Sequence, residues 1–433
     1  TAMLVRTSLL ERATRVAGRV FLLCIATVLL TPLCTSVAEE LPLASEATAS
    51  SALSTFARQI LQSHPRVQAA QAELDAARAR ERGAGRALYN PELDAEYEEG
   101  EVRTRSIGIN QTIDLGGKRG ARERAASFET QSATESLALV RQGVLAELFS
   151  ALGMVDVAAE RLRIADERKA LIERLRTLAD ERRQAGDLSQ IELELARLAY
   201  AEAVLLRSQA ATQQVTAQQA LARVAGGDLP AYPPLPSAYT SVSLNEPAVN
   251  AILTNLPSVR AAQARVAAAR AVVDLRRRER RPDPTVGFYG GREGDDDLIG
   301  IRFSIPFPVR NSYRAELDAA TSDFEALGLT TANDYIQLRA ELIAAQQRYE
   351  LARTAWDEWQ RMGAGSLTSQ TEMLERLWRA GELNTTDYLV QLQQTLDTRV
   401  AASEQRGVVW ESWIAWLAVS GQVDAWTGFE NAR

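Results

Sequence analysis

Apolar and polar positions along the chain follow two different periods, and the same succession of periods occurs twice. Leu93, Ala95 and Tyr97 alternate with Asp94, Glu96 and Glu98, and Ile107, Ile109, Ile113 and Leu115 alternate with Gly108, Asn110, Thr112 and Asp114. Period two predicts a strand pair over about 92–115 with one apolar and one polar face. A helix is expected before it, from about Ser54 to Arg86, ended by Asn90-Pro91. After Gly116-Gly117 the chain runs from Lys118 to Gln184 without a proline, about 100 Å if wholly helical. Within that run Leu145, Leu148, Leu152, Val155, Ala159 and Leu162 step by three and four, the spacing of a coiled-coil seam. Ala185-Gly186-Asp187 predicts a tight turn, followed by a return helix to about Val224.

The second half repeats this plan. His64-Pro65-Arg66-Val67-Gln68-Ala69-Ala70-Gln71 returns 192 residues later as Leu256-Pro257-Ser258-Val259-Arg260-Ala261-Ala262-Gln263. Ile107-Gly108-Ile109 returns at the same offset as Ile299-Gly300-Ile301, and Ala185-Gly186-Asp187-Leu188 returns 195 residues on as Ala380-Gly381-Glu382-Leu383. Matches in one order with so little drift mark a duplicated structural unit. The second unit is expected to hold a helix from about Pro247 to Pro282, a strand pair over about 285–307, and a long helical hairpin turning at Gly381. Its seam is Tyr335, Leu338, Leu342, Ala345, Tyr349, Ala352, Trp356 and Trp359, and Trp410, Trp413 and Trp416 fall on one side of the last helix. The expected division is therefore a first repeat over 39–228, a proline-rich linker over 229–246, a second repeat over 247–422 and a tail over 423–433. The fold class is mainly α with a small β part.

Residues 1–38 change the setting. Arg12, Arg15 and Arg19 precede the apolar run Val20–Leu30, and Ser36-Val37-Ala38 offers a small-residue cleavage site. This is the pattern of a secretory signal, its apolar stretch falling short of the roughly 20 residues of a membrane span. Both cysteines, Cys24 and Cys34, lie inside it, so stability of the remainder must come from packing. Lipidation of Cys34 is disfavoured by the bulky Leu33. Removal of the segment takes away four arginines and Glu11, moving the formal charge from −7 to −10. That charge argues against a nucleic-acid partner. No second long apolar segment is evident, so any membrane crossing is expected to use strands.

The four strands have the length needed to cross an outer membrane, with alternate residues meeting lipid. Ile107, Ile109, Ile113, Ile299, Ile301 and Phe303 are the candidate lipid-facing residues; Asp94, Glu96, Asn110, Thr112, Arg302 and Ser304 would face a wet lumen. Closed single-chain barrels have at least about eight strands. Four leave open edges, which lipid does not tolerate. Three chains would supply twelve and close the wall, so the expectation is a homotrimer in outer membrane lipid. The plainer reading is a pair of soluble hairpins capping a helical rod. Glu98-Glu99-Gly100-Glu101 and Asp295-Asp296-Asp297 sit between the paired strands and read as solvated loops, not as metal sites.

Asn90-Pro91-Glu92-Leu93, followed by Ile113-Asp114-Leu115-Gly116-Gly117-Lys118-Arg119 at the strand-to-helix junction, resembles the TolC-type outer membrane efflux protein family. Ile305-Pro306-Phe307-Pro308 fits the same junction in the second copy, and the Leu-Gly-Gly-Lys-Arg wording is similar to the heavy-metal cation branch, of the Czc and Cus kind. The resemblance spans about Leu53 to Gly421. It implies a trimeric β-barrel in the outer membrane of a Gram-negative bacterium, continued by a helical tunnel through the periplasm. Its implied partners are a periplasmic adaptor (membrane fusion) protein and a proton-driven inner-membrane RND pump. The turns at Gly186 and Gly381 would then form the periplasmic gate. Glu192 and Asp387, each six residues after its glycine, match acids of the family, and Trp378 resembles the gate partner of Glu192. Val390 departs from the pattern where a further acid often stands, leaving any charged ring to Asp387 and Glu382. Without the resemblance, Glu192 and Asp387 read equally well as acids favoured in a first helical turn.

Drug efflux, type I protein secretion and a periplasmic coiled-coil scaffold are the alternative readings. An enzyme is disfavoured: His64 is the single histidine, and no cysteine follows Cys34, so a His-containing triad, a zinc site or a thiol nucleophile has almost no material. No cofactor is implied. Soft-metal chelation by the channel is disfavoured for the same reason, which would leave selectivity to the pump and adaptor.

Overall fold

The computed structural model describes residues 49–227, 231–236, 239–363 and 365–429. The leader expected over 1–38, Cys34, and parts of the linker and tail lie outside them. Each repeat begins with two helices where one was expected. In the first, α1 (Ser51–Ser63) and α2 (Pro65–Ala84) meet at His64, which has extended backbone angles and whose Nδ1 accepts the Arg66 N–H at 3.2 Å. In the second, the break between the corresponding helices falls at Leu256, again extended, before Pro257. The cause is the proline, which removes an N–H and pushes the preceding residue out of helical geometry. The motif that exposes the duplication is thus the helix break itself.

The first strand pair is β1 (Glu92–Glu99) and β2 (Arg103–Thr112). Helix α3 (Lys118–Ala185) is unbroken over 68 residues, and α4 (Gln190–Ala225) returns along it. The second repeat supplies α5 (Glu246–Asn255), α6 (Pro257–Glu279), β3 (Thr285–Glu293), β4 (Asp296–Ser304), α7 (Arg314–Met362), α8 (Ser366–Arg379) and α9 (Thr385–Val419). A short α10 (Val423–Thr427) follows. The second long helix is therefore interrupted after Met362, unlike α3. Its end is Gly363, where an added Cβ would run into the Trp359 ring.

Two cores hold the helices together. The larger joins Leu145, Leu148, Phe149, Leu152 and Val155 of α3 to Leu253, Tyr349, Trp410, Trp413, Trp416 and Trp426. The Trp410 indole N–H donates to the Phe149 carbonyl at 2.7 Å, and Gly153 gives the ring its room. All three tryptophans expected on one side of the last helix are buried. Past Val155 the seam drifts: Ala159 and Leu162 are half-exposed, and Ala158, Ile164 and Ala165 are buried instead. A stretch of α3 is long and apolar enough to meet the criterion for a membrane span, contrary to expectation; half of it is buried, and its apolar side chains form this core. The second core lies toward the helix turns and gathers Ile172, Leu175, Leu193, Trp378, Tyr388 and Leu392.

The strands form one antiparallel sheet in the order β1-β2-β3-β4, so the two repeats join along β2 and β3. Its outer strands, β1 and β4, have no partner on their far sides among the described residues. Strand β2 stops at Thr112, although Ile113 still donates its N–H to the Pro284 carbonyl at 2.9 Å. Ile113 and Leu115 are thus junction residues, not strand residues, because Asp114 has turned to cap α3. Strand β4 stops at Ser304, ahead of Pro306 and Pro308, which cannot donate to a ladder. Asp296 and Asp297 lie within β4, not in the loop where they were expected.

Candidate functional site

The register sorts the sheet into two faces. Leu93 stands opposite Ile109, Ile109 opposite Phe288, and Phe288 opposite Ile301, giving an unbroken apolar row across four strands. Ala95, Ile107, Gly290 and Ile299 form the next row, and Val286 and Phe303 extend the face toward the helices. These side chains are exposed: Ile299 at 89%, Ile301 at 70% and Phe303 at 66%. Nothing among the described residues covers them, and a band of that kind is costly in water.

The opposite face carries Asp94, Glu96, Asn110, Thr112, Tyr289, Arg302 and Ser304. The Asn110 amide donates to Asp94, and Thr112 and Thr285 share a hydroxyl bond at 2.8 Å. Arg302, on the last strand, reaches Asp94 on the first at 3.5 Å and packs over the Tyr289 ring at 5.4 Å. In a flat sheet three strand spacings separate β1 from β4 by about 14 Å. The contact therefore spans all four strands on the polar face, the long Arg302 side chain lying across the sheet. Gly108 and Gly300 flank Tyr289, and a side chain at either would collide with it.

Below the sheet, the junction marked by the Ile113–Arg119 motif has two partners that sequence reasoning did not single out, Tyr89 and Asp283. Asp114 accepts the N–H groups of Lys118 at 2.9 Å and Arg119 at 2.8 Å, closing the start of α3. Burial opposes its charge, but these donors, the Gly117 N–H and the Lys118 ammonium outweigh it and hold its carboxyl below the usual range. Gly117 takes the left-handed conformation, φ 66°, that the sharp strand-to-helix turn requires. Lys118 Nζ meets Asp283 Oδ2 at 2.8 Å, with the two side chains 12% and 4% exposed. Tyr89 donates its hydroxyl to the same oxygen at 2.7 Å, and that bond, with burial, pushes the phenol up to about 12. The pair ties the start of α3 in one repeat to the lead-in of β3 in the other. The available sequence signal was Pro282-Asp283-Pro284, the counterpart of Asn90-Pro91, where a carboxylate replaces the amide.

Residues 56–227 match the profile of the family described as outer membrane efflux protein. Over that stretch the chain is similar to outer membrane efflux proteins. Its curated relatives include the cobalt-zinc-cadmium resistance protein CzcC of Cupriavidus metallidurans, 28% identical over 277 residues, covering 62% of this chain and 66% of the relative. The nickel-cobalt-cadmium resistance protein NccC of Alcaligenes xylosoxydans xylosoxydans is 28% identical over 222 residues, half of each chain. The chain thus spans between half and two thirds of the length of these relatives. Among solved structures, the transmembrane channel CusC superposes with a TM-score of 0.73 at 16% identity, covering 86% of this chain and 93% of CusC. That likeness shows a shared fold, a small antiparallel sheet continued by long helices.

At the far end of the long helices, the two helix turns are built alike. Gly186 and Gly381 are left-handed, φ 88° and 76°. Asp187 N–H donates to the Arg182 carbonyl at 2.9 Å, and Glu382 N–H donates to the Leu377 carbonyl at 3.0 Å, the same closing bond in each copy. Glu192 and Asp387 occupy equivalent places just inside the return helices. Glu192 is held by Ser189, whose hydroxyl and backbone N–H both donate to its carboxylate, lowering its pKa. Asn384 donates its side-chain amide to the Asp387 carboxylate and accepts the Asp387 N–H, a cap without the backbone bond that Ser189 makes. Trp378 does not bond Glu192 within the chain. It is 3% exposed, donates its indole N–H to Thr385 Oγ1 at 3.4 Å, stacks on Tyr388 and lies under the Arg182 guanidinium.

Proposed function

We propose that this chain is the outer membrane duct of a tripartite efflux system and that heavy-metal cations leave through it. The observation that carries the reading is the sheet: four strands, two open edges, one face with an exposed apolar band and one polar face. Three such sheets close a twelve-stranded barrel in the outer membrane, and α3, α4, α7, α8 and α9 continue it as a periplasmic tunnel. The duct is passive and does no chemistry. Energy comes from an inner-membrane RND pump, and a periplasmic adaptor joins pump to duct.

The turns at Gly186 and Gly381, with Glu192, Trp378, Glu382 and Asp387, form the periplasmic end in this proposal. Trp378 acts there as the packed pivot under the second turn, and Asp387 and Glu382 present charge at the aperture. The names of CzcC and NccC support metal cations as cargo, as do the carboxylates of the polar face, which favour cations without chelating them.

The test is a strain without its own efflux duct, carrying a matched metal pump and adaptor. Adding this chain is expected to restore tolerance to cobalt, zinc or cadmium and to lower the metal retained by the cells. Recovered tolerance to organic drugs with no change for metals would overturn the cargo assignment.

A further inference from the structure

The polar face of the sheet is far from balanced in charge. Along the four strands it carries six carboxylates, from Glu92, Asp94, Glu96, Glu98, Glu293 and Asp296, and a single guanidinium, that of Arg302. Arg103, Arg105 and Arg292 stand at alternate positions and belong to the other face. Arg302 lies 3.5 Å from Asp94 and 3.9 Å from Glu96. Glu96 also accepts the Ser106 hydroxyl at 3.4 Å, and Asp94 accepts the Asn110 amide, so both carboxylates are fixed where the guanidinium meets them. The Tyr289 ring supports the guanidinium from below, in the space left by Gly300.

We propose that Arg302 sets the charge preference of the pore, as the fixed counter-charge that partly cancels Asp94 and Glu96 midway along the barrel wall. The inference rests on the duct reading, which makes this face the lumen. In a trimer three guanidinium groups would face six of these carboxylates at one level, leaving a net negative belt distinct from any charge at the helix turns. Fixed charges at that level act on every permeating ion, because the low-dielectric wall focuses their field into the lumen. Arg302 thereby tempers cation preference: it keeps the belt attractive to cations but too weak to trap a divalent one.

The test is the reversal potential of the purified trimer in planar bilayers under a potassium chloride gradient. Arg302→Gln is expected to raise the cation-over-anion permeability ratio by about sevenfold for each kT of added negative potential, since cation and anion entry shift in opposite directions. Arg302→Lys, which keeps the charge and loses the planar fork, should stay near the unmodified ratio. The double variant Asp94→Asn, Glu96→Gln should move the ratio toward anions. At 1 M salt, where the Debye length is about 3 Å, the differences should shrink. An unchanged ratio in Arg302→Gln overturns the inference, as does an equal shift in Arg302→Lys. Should the unmodified protein form no conducting pore, the duct reading itself fails; a pore with unaltered selectivity defeats this inference alone.

Discussion

Replacing Lys118 with Met removes the charge that meets Asp283 while keeping most of the apolar stem. The two side chains are 12% and 4% exposed and their charged atoms are 2.8 Å apart, so this is a buried pair, not a surface one. Breaking a buried pair by removing one partner costs about 3–5 kcal/mol, because the remaining charge is left in a poor solvent. Tyr89 donates to Asp283 at 2.7 Å before and after the change, so the stranded carboxylate keeps one donor. The cost expected for Lys118→Met is therefore at the lower end of that range, about 3 kcal/mol. Tyr89→Phe added to it should expose the remainder. Removing both charges, Lys118→Met with Asp283→Asn, should be less harmful than Lys118→Met alone, since no uncompensated carboxylate remains. The assay is urea unfolding in detergent, followed by circular dichroism for the helices and by gel migration for the assembly. A Lys118→Met protein within about 0.5 kcal/mol of the parent, or a double variant no better than the single one, would refute the reasoning.

Other outcomes follow from the same geometry. Ile109→Arg or Ile301→Arg should cost roughly 2–4 kcal/mol of membrane stability near the midplane, whereas Asn110→Ala on the opposite face should insert normally, as read by membrane fractionation and heat-modifiability. Gly153→Ala places a methyl group against the Trp410 ring and should destabilise the helical core by about 1–3 kcal/mol, measurable by thermal melting. Glu192→Ala removes the partner of Ser189 and should loosen the first turn of α4, seen as faster hydrogen exchange there and, if the turns close the duct, as higher single-channel conductance. Hydrogen bonds to Arg163 and Arg399 depress the pKa values of Glu160 and Glu167. A depressed carboxylate stabilises the fold above its unfolded pKa, about 4.3, and that contribution is lost as pH falls through the lower folded value, so acid melting should begin below pH 4 and be blunted in Glu167→Gln.

The sheet was legible in the sequence because period two leaves a strong trace: every apolar residue named for the strand faces, from Ile107 to Phe303, lies on one side, Ile113 falling just past the end of β2. The helix turns were legible because a left-handed position at a helix end favours glycine, and Gly186 and Gly381 were in matching places. The breaks at His64 and Leu256 were misread as helix interior although Pro65 and Pro257 stood in plain view; flanking periodicity masked them. The junction was located by its Ile113–Arg119 motif, but its contacts could not be read. Asp283, Tyr89 and Lys118 come from three separate segments, and only the antiparallel register of β2 with β3 brings them together. Trp378 illustrates the same limit: its position drew attention, but its indole partner is Thr385, seven residues away, and no pattern of spacing distinguishes that from a bond to Glu192.

The central claim is that this sheet is one third of a wall. Native mass spectrometry of the protein released from outer membranes in mild detergent tests it most directly. The account requires a single species of three chains that loses its sheet when the chains are separated. A monodisperse single chain with the four-stranded sheet intact, its edges and its apolar face stable without partners, would contradict it.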